Sequence, residues 1–128
     1  MHPAMVFADN TTTGSVGIVI DGDNNTVSSS NSVTLGNHIS SRGGANVAIG
    51  YGSKAGHQEK PLGPNDANGA TAVGTGSQAV NYRATALGDY TVASGTDAIG
   101  IGTTAQATGD RSISAGLSSI ASGVNAIA

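Results

Sequence analysis

The feature that most constrains this chain is a 14-residue period, clearest in residues 83–124. Three copies align there: 83–96, 97–110 and 111–124. In each the sixth residue is glycine (Gly88, Gly102, Gly116). Alanine follows five residues later (Ala93, Ala107, Ala121), and another glycine two residues beyond that (Gly95, Gly109, Gly123). One and three residues before the first glycine stand mostly apolar side chains: Leu87 with Thr85, Ile101 with Ile99, Ala115 with Ile113. Fixed columns at a fixed period mark a solenoid, in which each repeat is one coil resting on the last.

Composition decides what such a coil can contain. Twenty glycines, one Phe, three Tyr and no Trp among 128 residues leave too few large side chains for a conventional core. Val, Ile and Ala must fill thin layers instead. Charged residues make up only 10%, so Ser, Thr, Asn and Gln carry the solvation. A net charge of −3, with Arg42, Lys54, Lys60, Arg83 and Arg111 scattered, makes no electrostatic case for nucleic acid or an anionic membrane. Cysteine is absent, which points to association as a source of stability for so thin a fold. No apolar run approaches the ~20 residues of a membrane span.

Taken in order, residues 1–14 read as a lead-in without the charged and apolar regions of a signal peptide, turn-rich around 9–14. The strand signal begins at Ser15. Ile18 and Ile20 precede Val33 and Leu35 by 15 residues, which implies one extra residue in the turn at 21–25. The copies at 31–36 and 45–50 are regular, but the next equivalent, 69–74, lies 24 residues on, one period plus ten. The surplus, about 58–68, contains two prolines and several charged residues and reads as a loop inserted at a turn. Residues 15–128 are thus expected to form one stack of coils. Its last copy, 125–128, stops partway without a polar cap, as in a piece of a longer protein.

Fourteen residues accommodate two short strands and two tight turns. Glycine at Gly36, Gly50, Gly74, Gly88, Gly102 and Gly116 predicts one corner. Gly43, His57, Asn81, Gly95, Gly109 and Gly123 predict the other, and Gly or Asn at these positions suits positive φ. Alternation around the first corner predicts an apolar core of Val33, Leu35, Val47, Ile49, Val73, Leu87, Ile99, Ile101 and Ile113. The intervening column (Thr34, Ala48, Ala72, Ala86, Gly100, Ser114) is then expected to face outward. Being small and uncharged, it is one face through which sister chains could approach; the alanine column is the other. The first residues of successive copies, Arg83, Asp97 and Arg111, predict either a stacked ion ladder or three independently solvated side chains.

Motifs that suggest chemistry dissolve into the repeat. Gly-x-Gly-x-x-Ala recurs at Gly50, Gly74 and Gly100 without a following helix, so no dinucleotide cofactor is expected. The stretch 21–25 begins like a calcium loop, but Thr26 and Ser32 stand where glycine and glutamate are required. His2, His38 and His57 lack metal-ligand spacing, and no serine has an arguable histidine–carboxylate partner. The expected catalytic, cofactor and metal sites are therefore none, and the chain is read as a non-enzyme.

The copies Asn31-Ser32-Val33-Thr34-Leu35-Gly36 and Asn46-Val47-Ala48-Ile49-Gly50 resemble the head repeat of trimeric autotransporter adhesins, usually Asn-Ser-Val-Ala-Ile-Gly. So does Ala93-Ser94-Gly95 followed by Asp97-Ala98-Ile99-Gly100, with its Ala-x-Gly spacer. The resemblance covers roughly 31–128, six copies in register. The departures are the irregular first coil, Thr71 and Thr85 in one apolar column, Ala115 in the other, and the insertion. The resemblance implies the YadA-like head, all-β: a left-handed parallel β-roll, a single-stranded solenoid with 14-residue repeats, homotrimeric. It implies display outside the outer membrane of a Gram-negative bacterium, where such heads attach to host cells or extracellular matrix, contribute to virulence, and in some cases support autoagglutination. Membrane anchoring would belong to parts outside this sequence.

The insertion, with His57, Glu59, Lys60 and Asp66, is the candidate ligand-binding loop, its alternative a loop that only packs against a neighbour. Two other classes of function stay open: a structural spacer without its own ligand, and another trimeric β-solenoid such as a phage fibre segment. An ice-binding face is disfavoured because the threonines do not share one column.

Overall fold

The computed structural model describes residues 11–12, 18–20, 22–28, 31–56 and 69–128. Among these there is no helix. The chain order begins with β1 (Thr11–Thr12), β2 (Ile18–Ile20), β3 (Thr26–Ser28), β4 (Val33–Leu35) and β5 (Ser40–Arg42). It continues with β6 (Val47–Ile49), β7 (Lys54–Ala55), β8 (Thr71–Val73), β9 (Gln78–Ala79) and β10 (Thr85–Leu87). The last five are β11 (Val92–Ala93), β12 (Ile99–Ile101), β13 (Gln106–Ala107), β14 (Ile113–Ala115) and β15 (Ile120–Ala121). Odd strands form an eight-stranded sheet and even strands a seven-stranded one, each in strict chain order. Every pairing is parallel, so the fold is a β-solenoid with one strand per coil in each sheet.

Register follows the sequence period. Thr85 pairs with Ile99, Ile99 with Ile113, and Val92 with Gln106. The irregularities fall where the spacing places them. Ile18 pairs with Val33, 15 residues on, while Thr26 pairs with Ser40, 14 on. Gly22 and Gly36 share the positive-φ corner, so the extra residue sits between Ile20 and Gly22. Val47 pairs with Thr71 across the insertion, and the stack resumes in register. The ladder starts earlier than the strand signal suggests: Thr11–Thr12, within the supposed lead-in, pairs with Thr26 and Val27.

One expectation is reversed. The small column Thr34, Ala48, Ala72, Ala86, Gly100 and Ser114 points into the coil and is buried. It meets a second small column from the opposite sheet, Ser41, Ala55, Ala79, Ala93, Ala107 and Ala121, also buried. The residues predicted as core lie on the outside. Val33, Val47, Ile49, Val73, Leu87 and Ile99 are half-buried, and Leu35, Ile101 and Ile113 are exposed, Ile101 by 43%. The reason is volume. Two strands closed by tight corners enclose a narrow slot that alanine, serine and threonine fill in most coils, with Val27 also buried in it and Ile39 at its corner, so the larger aliphatic columns are left outside. Neither small column is therefore available to a sister chain.

The interior has two more columns at the corners, and its polar members reveal how the coil is stitched. Asn25 and Asn46 are buried. Asn25 donates to the Gly36 carbonyl at 2.6 Å and accepts from the Ile39 N–H at 2.9 Å. Asn46 donates to the Arg42 carbonyl at 2.7 Å and accepts from the Ala70 N–H at 2.9 Å. In regular coils the equivalent amides of Ala84, Ala98 and Ser112 turn back to carbonyls three residues earlier. Ala70, the re-entry point after the insertion, uses the Asn46 side chain instead. Replacing Asn46 by Ala would strand the buried Ala70 N–H and remove the donor to the Arg42 carbonyl, and should cost about 2–3 kcal/mol in denaturant unfolding.

Three buried hydroxyls among the described residues, on Thr34, Ser53 and Ser112, have no hydrogen-bond partner. Ser112 shares its column with Ala70, Ala84 and Ala98, so alanine fits that position. Ser112→Ala is expected to raise stability by ~1 kcal/mol, since an unsatisfied buried polar group is removed without leaving a cavity of consequence. A lowered thermal midpoint would contradict this.

Candidate functional site

Inversion of the coil gives it two unlike outer faces. The seven-stranded sheet presents two aliphatic columns: Val33, Val47, Thr71, Thr85, Ile99 and Ile113 beside Leu35, Ile49, Val73, Leu87, Ile101 and Ala115. The eight-stranded sheet presents Thr26, Ser40, Lys54, Gln78, Val92, Gln106 and Ile120, largely polar. A continuous apolar stripe on one face of a slender solenoid is a surface for association. The sequence picked out these residues correctly but assigned them to the wrong side of the strand.

The first corner is built as expected. Gly36, Gly50, Gly74, Gly88, Gly102 and Gly116 all take φ between +115° and +131°. They stack: a Cβ on Gly50 would lie 2.6 Å from the Gly74 carbonyl oxygen, and one on Gly102 2.8 Å from that of Gly116. The second corner differs. Gly43 has positive φ (+93°) as expected, but Gly95, Gly109 and Gly123 do not, and the left-handed non-glycine residues there are Asn31, Ala45, Arg83, Asp97, Arg111 and Asn125. Glycine is needed at Gly95 and Gly109 for close approach, because a Cβ on either would run into the backbone carbonyl of the glycine one coil on.

The second corner also carries the charges. Arg83 donates through Nη2 to Asp97 Oδ2 at 2.8 Å and also through Nε to Oδ1. Of the predicted ladder one step is formed; Asp97 and Arg111 make no ion pair, although the Arg111 charge is felt at Asp97. The Arg83 hydrogen bond holds the Asp97 carboxyl below the ordinary carboxylate range, opposed by desolvation and assisted by the charges of Arg83 and Arg111. Because this pKa is depressed on folding, the pair's contribution is present above the unfolded carboxylate value. It is lost as pH falls through the lower folded value. Asp97→Asn should flatten the acid side of the thermal-midpoint profile, and salt should shrink the difference because the pair is exposed.

His57, Glu59, Lys60 and Asp66 lie outside the described residues. The described residues on either side, Gly56 and Gly69, stand at this same corner, both at positive φ (85° and 54°). The Gly69 N–H donates to the Gly44 carbonyl at 3.1 Å. Among the described residues no three His, Cys, Asp or Glu side chains gather as a metal cluster.

Compared with known families, the chain matches the YadA head domain repeat (2 copies) over residues 66–91, 93–119 and 108–128. No curated protein matches it.

Proposed function

The chain carries the YadA head domain repeat and is a YadA-like head of the trimeric autotransporter adhesins, and from that premise we propose how it works. Three copies associate through the aliphatic face of the seven-stranded sheet, and the assembly is displayed outside the outer membrane as a non-enzymatic attachment module. The observation that carries the reading is the one-sided apolar stripe on a coil whose own interior is nearly all Ala, Ser and Thr. Such an interior buries little apolar area per ordered residue, whereas backbone ordering costs ~1–2 kcal/mol per residue. The stripe is the largest reserve of apolar surface available to offset that cost.

Attachment is to host-cell or extracellular-matrix macromolecules, by weak contacts multiplied through three copies and many displayed fibres. The inserted segment at the charged corner, with His57, Glu59, Lys60 and Asp66, contributes to recognition. The test is surface binding of the assembled chain to collagen, fibronectin and laminin, and to cultured host cells, with and without residues 59–67. Saturable binding that falls on deletion supports the reading. Binding that survives deletion removes the segment from it, and no binding to any surface leaves the chain a spacer.

A further inference from the structure

The corner opposite the insertion carries a feature that coil stability does not explain. Two of the chain's three tyrosines, Tyr51 and Tyr90, stand there 60% and 62% exposed. Tyr90 adopts φ +53°, the left-handed conformation that Asn24, His38, Gly52, Gly76, Thr104 and Ser118 also take in this column, and it is the bulkiest of them. An exposed ring gains little from burial, so folding alone would favour glycine or asparagine at this position.

The rings are also held in place. Tyr90 lies back over Gly76, where an added Cβ would be 2.8 Å from ring atom Cδ1 and 2.9 Å from Cε1. Tyr51 leans on His38, one coil earlier, with ring centroids 5.2 Å apart. Both therefore incline one coil back along the stack, leaving two exposed ring faces two coils apart, about 10 Å at ~4.8 Å per coil. Between them is the bare corner of Gly52, where an added Cβ would meet nothing within 4 Å. Hydrogen-bonding groups border the rings: Asn37 and His38 beside Tyr51, Thr75 and Asp89 beside Tyr90. Asp89 uses Oδ1 to accept the Thr75 N–H at 3.2 Å. Among the described residues this corner has Asp23 and Asp89 but no lysine or arginine.

We propose that this corner is a binding site for a neutral, extended β-linked oligosaccharide, with sugar rings stacking on Tyr51 and Tyr90 across Gly52. The C–H face of a pyranose suits an exposed aromatic face, and its hydroxyls suit carboxylate, amide and imidazole partners. Carboxylates without a basic residue select against sulfated or carboxylated sugars. An extended β-linked chain presents alternate rings to one side and so meets ring faces spaced along the coil axis. The inference rests on the attachment reading only for its biological use. It concerns the corner away from the insertion and the apolar stripe.

The test is titration of the full chain with cellotetraose and chitotetraose, read by tyrosine emission, which no tryptophan masks. Saturable millimolar binding is expected. Tyr51→Ala and Tyr90→Ala should each weaken it about tenfold, Tyr90→Phe should retain it, and Tyr82→Ala, on the other corner, should leave it unchanged. Tyr90→Asn suits the left-handed corner, so it keeps the fold, confirmed by circular dichroism, and loses the ring. No saturable response to either sugar overturns the proposal. So does undiminished binding by Tyr90→Asn, or a response only to an arginine-rich control peptide. Because binding is read in solution, its failure leaves matrix attachment standing, and loss of matrix attachment leaves this site untouched.

Discussion

Leu87→Glu is expected to convert the assembled protein into single chains, with the solution mass falling from three copies to one. Leu87 is half-buried in its own coil, on the aliphatic face between Val73 and Ile101. In the proposed assembly a carboxylate there is introduced once per copy into a desolvated contact with no basic partner on the same face. An uncompensated buried charge costs about 3–5 kcal/mol, and three copies impose it together. The control is Gln78→Glu on the polar outer face of the other sheet, which should leave the mass unchanged. Sedimentation measures both. If Gln78→Glu dissociates the protein while Leu87→Glu does not, the contact has been assigned to the wrong sheet. Dissociation should also lower thermal stability sharply, because the Ala-lined interior alone must then hold the coil.

The second large effect separates two reasons for glycine at the stacked corner. Gly102→Ala forces φ +115° on a residue with a side chain and sets its Cβ 2.8 Å from the Gly116 carbonyl oxygen. Conformational strain of about 1–3 kcal/mol and overpacking of about 1–3 kcal/mol then add, giving roughly 2–6 kcal/mol. Gly116→Ala meets the strain (φ +130°), but its Cβ contacts nothing within 4 Å. It should show only the first component, about 1–3 kcal/mol. The comparison is made by urea unfolding of both variants under one condition. Equal losses would mean that close approach of successive corners contributes nothing and that backbone conformation alone selects glycine.

Much of this architecture was legible before any coordinates. The 14-residue period fixed which strands pair, because in a parallel stack each residue bonds to its copy one coil away. The 15-residue spacing of Ile18 and Val33, and the 24-residue spacing of Val47 and Thr71, located the extra residue and the insertion. The glycine column located the first corner, since few residues tolerate its φ. Half of the charge ladder was legible too. Arg83 and Asp97 pair, whereas Arg111 stands one coil further on without a short contact.

What the sequence could not decide was which side of a strand is inside. A period of two names two faces symmetrically, and the usual inference that large aliphatic residues face inward fails when two strands enclose a slot that mostly small side chains fill. Only the closed coil shows that Ala86 is interior and that its neighbours Thr85 and Leu87 face out. The left-handed columns through Tyr90 and Arg83 were likewise hidden, because nothing in those side chains announces positive φ. Period and register follow from local spacing. Inside and outside follow from the volume enclosed when the coil closes, and only three dimensions define that.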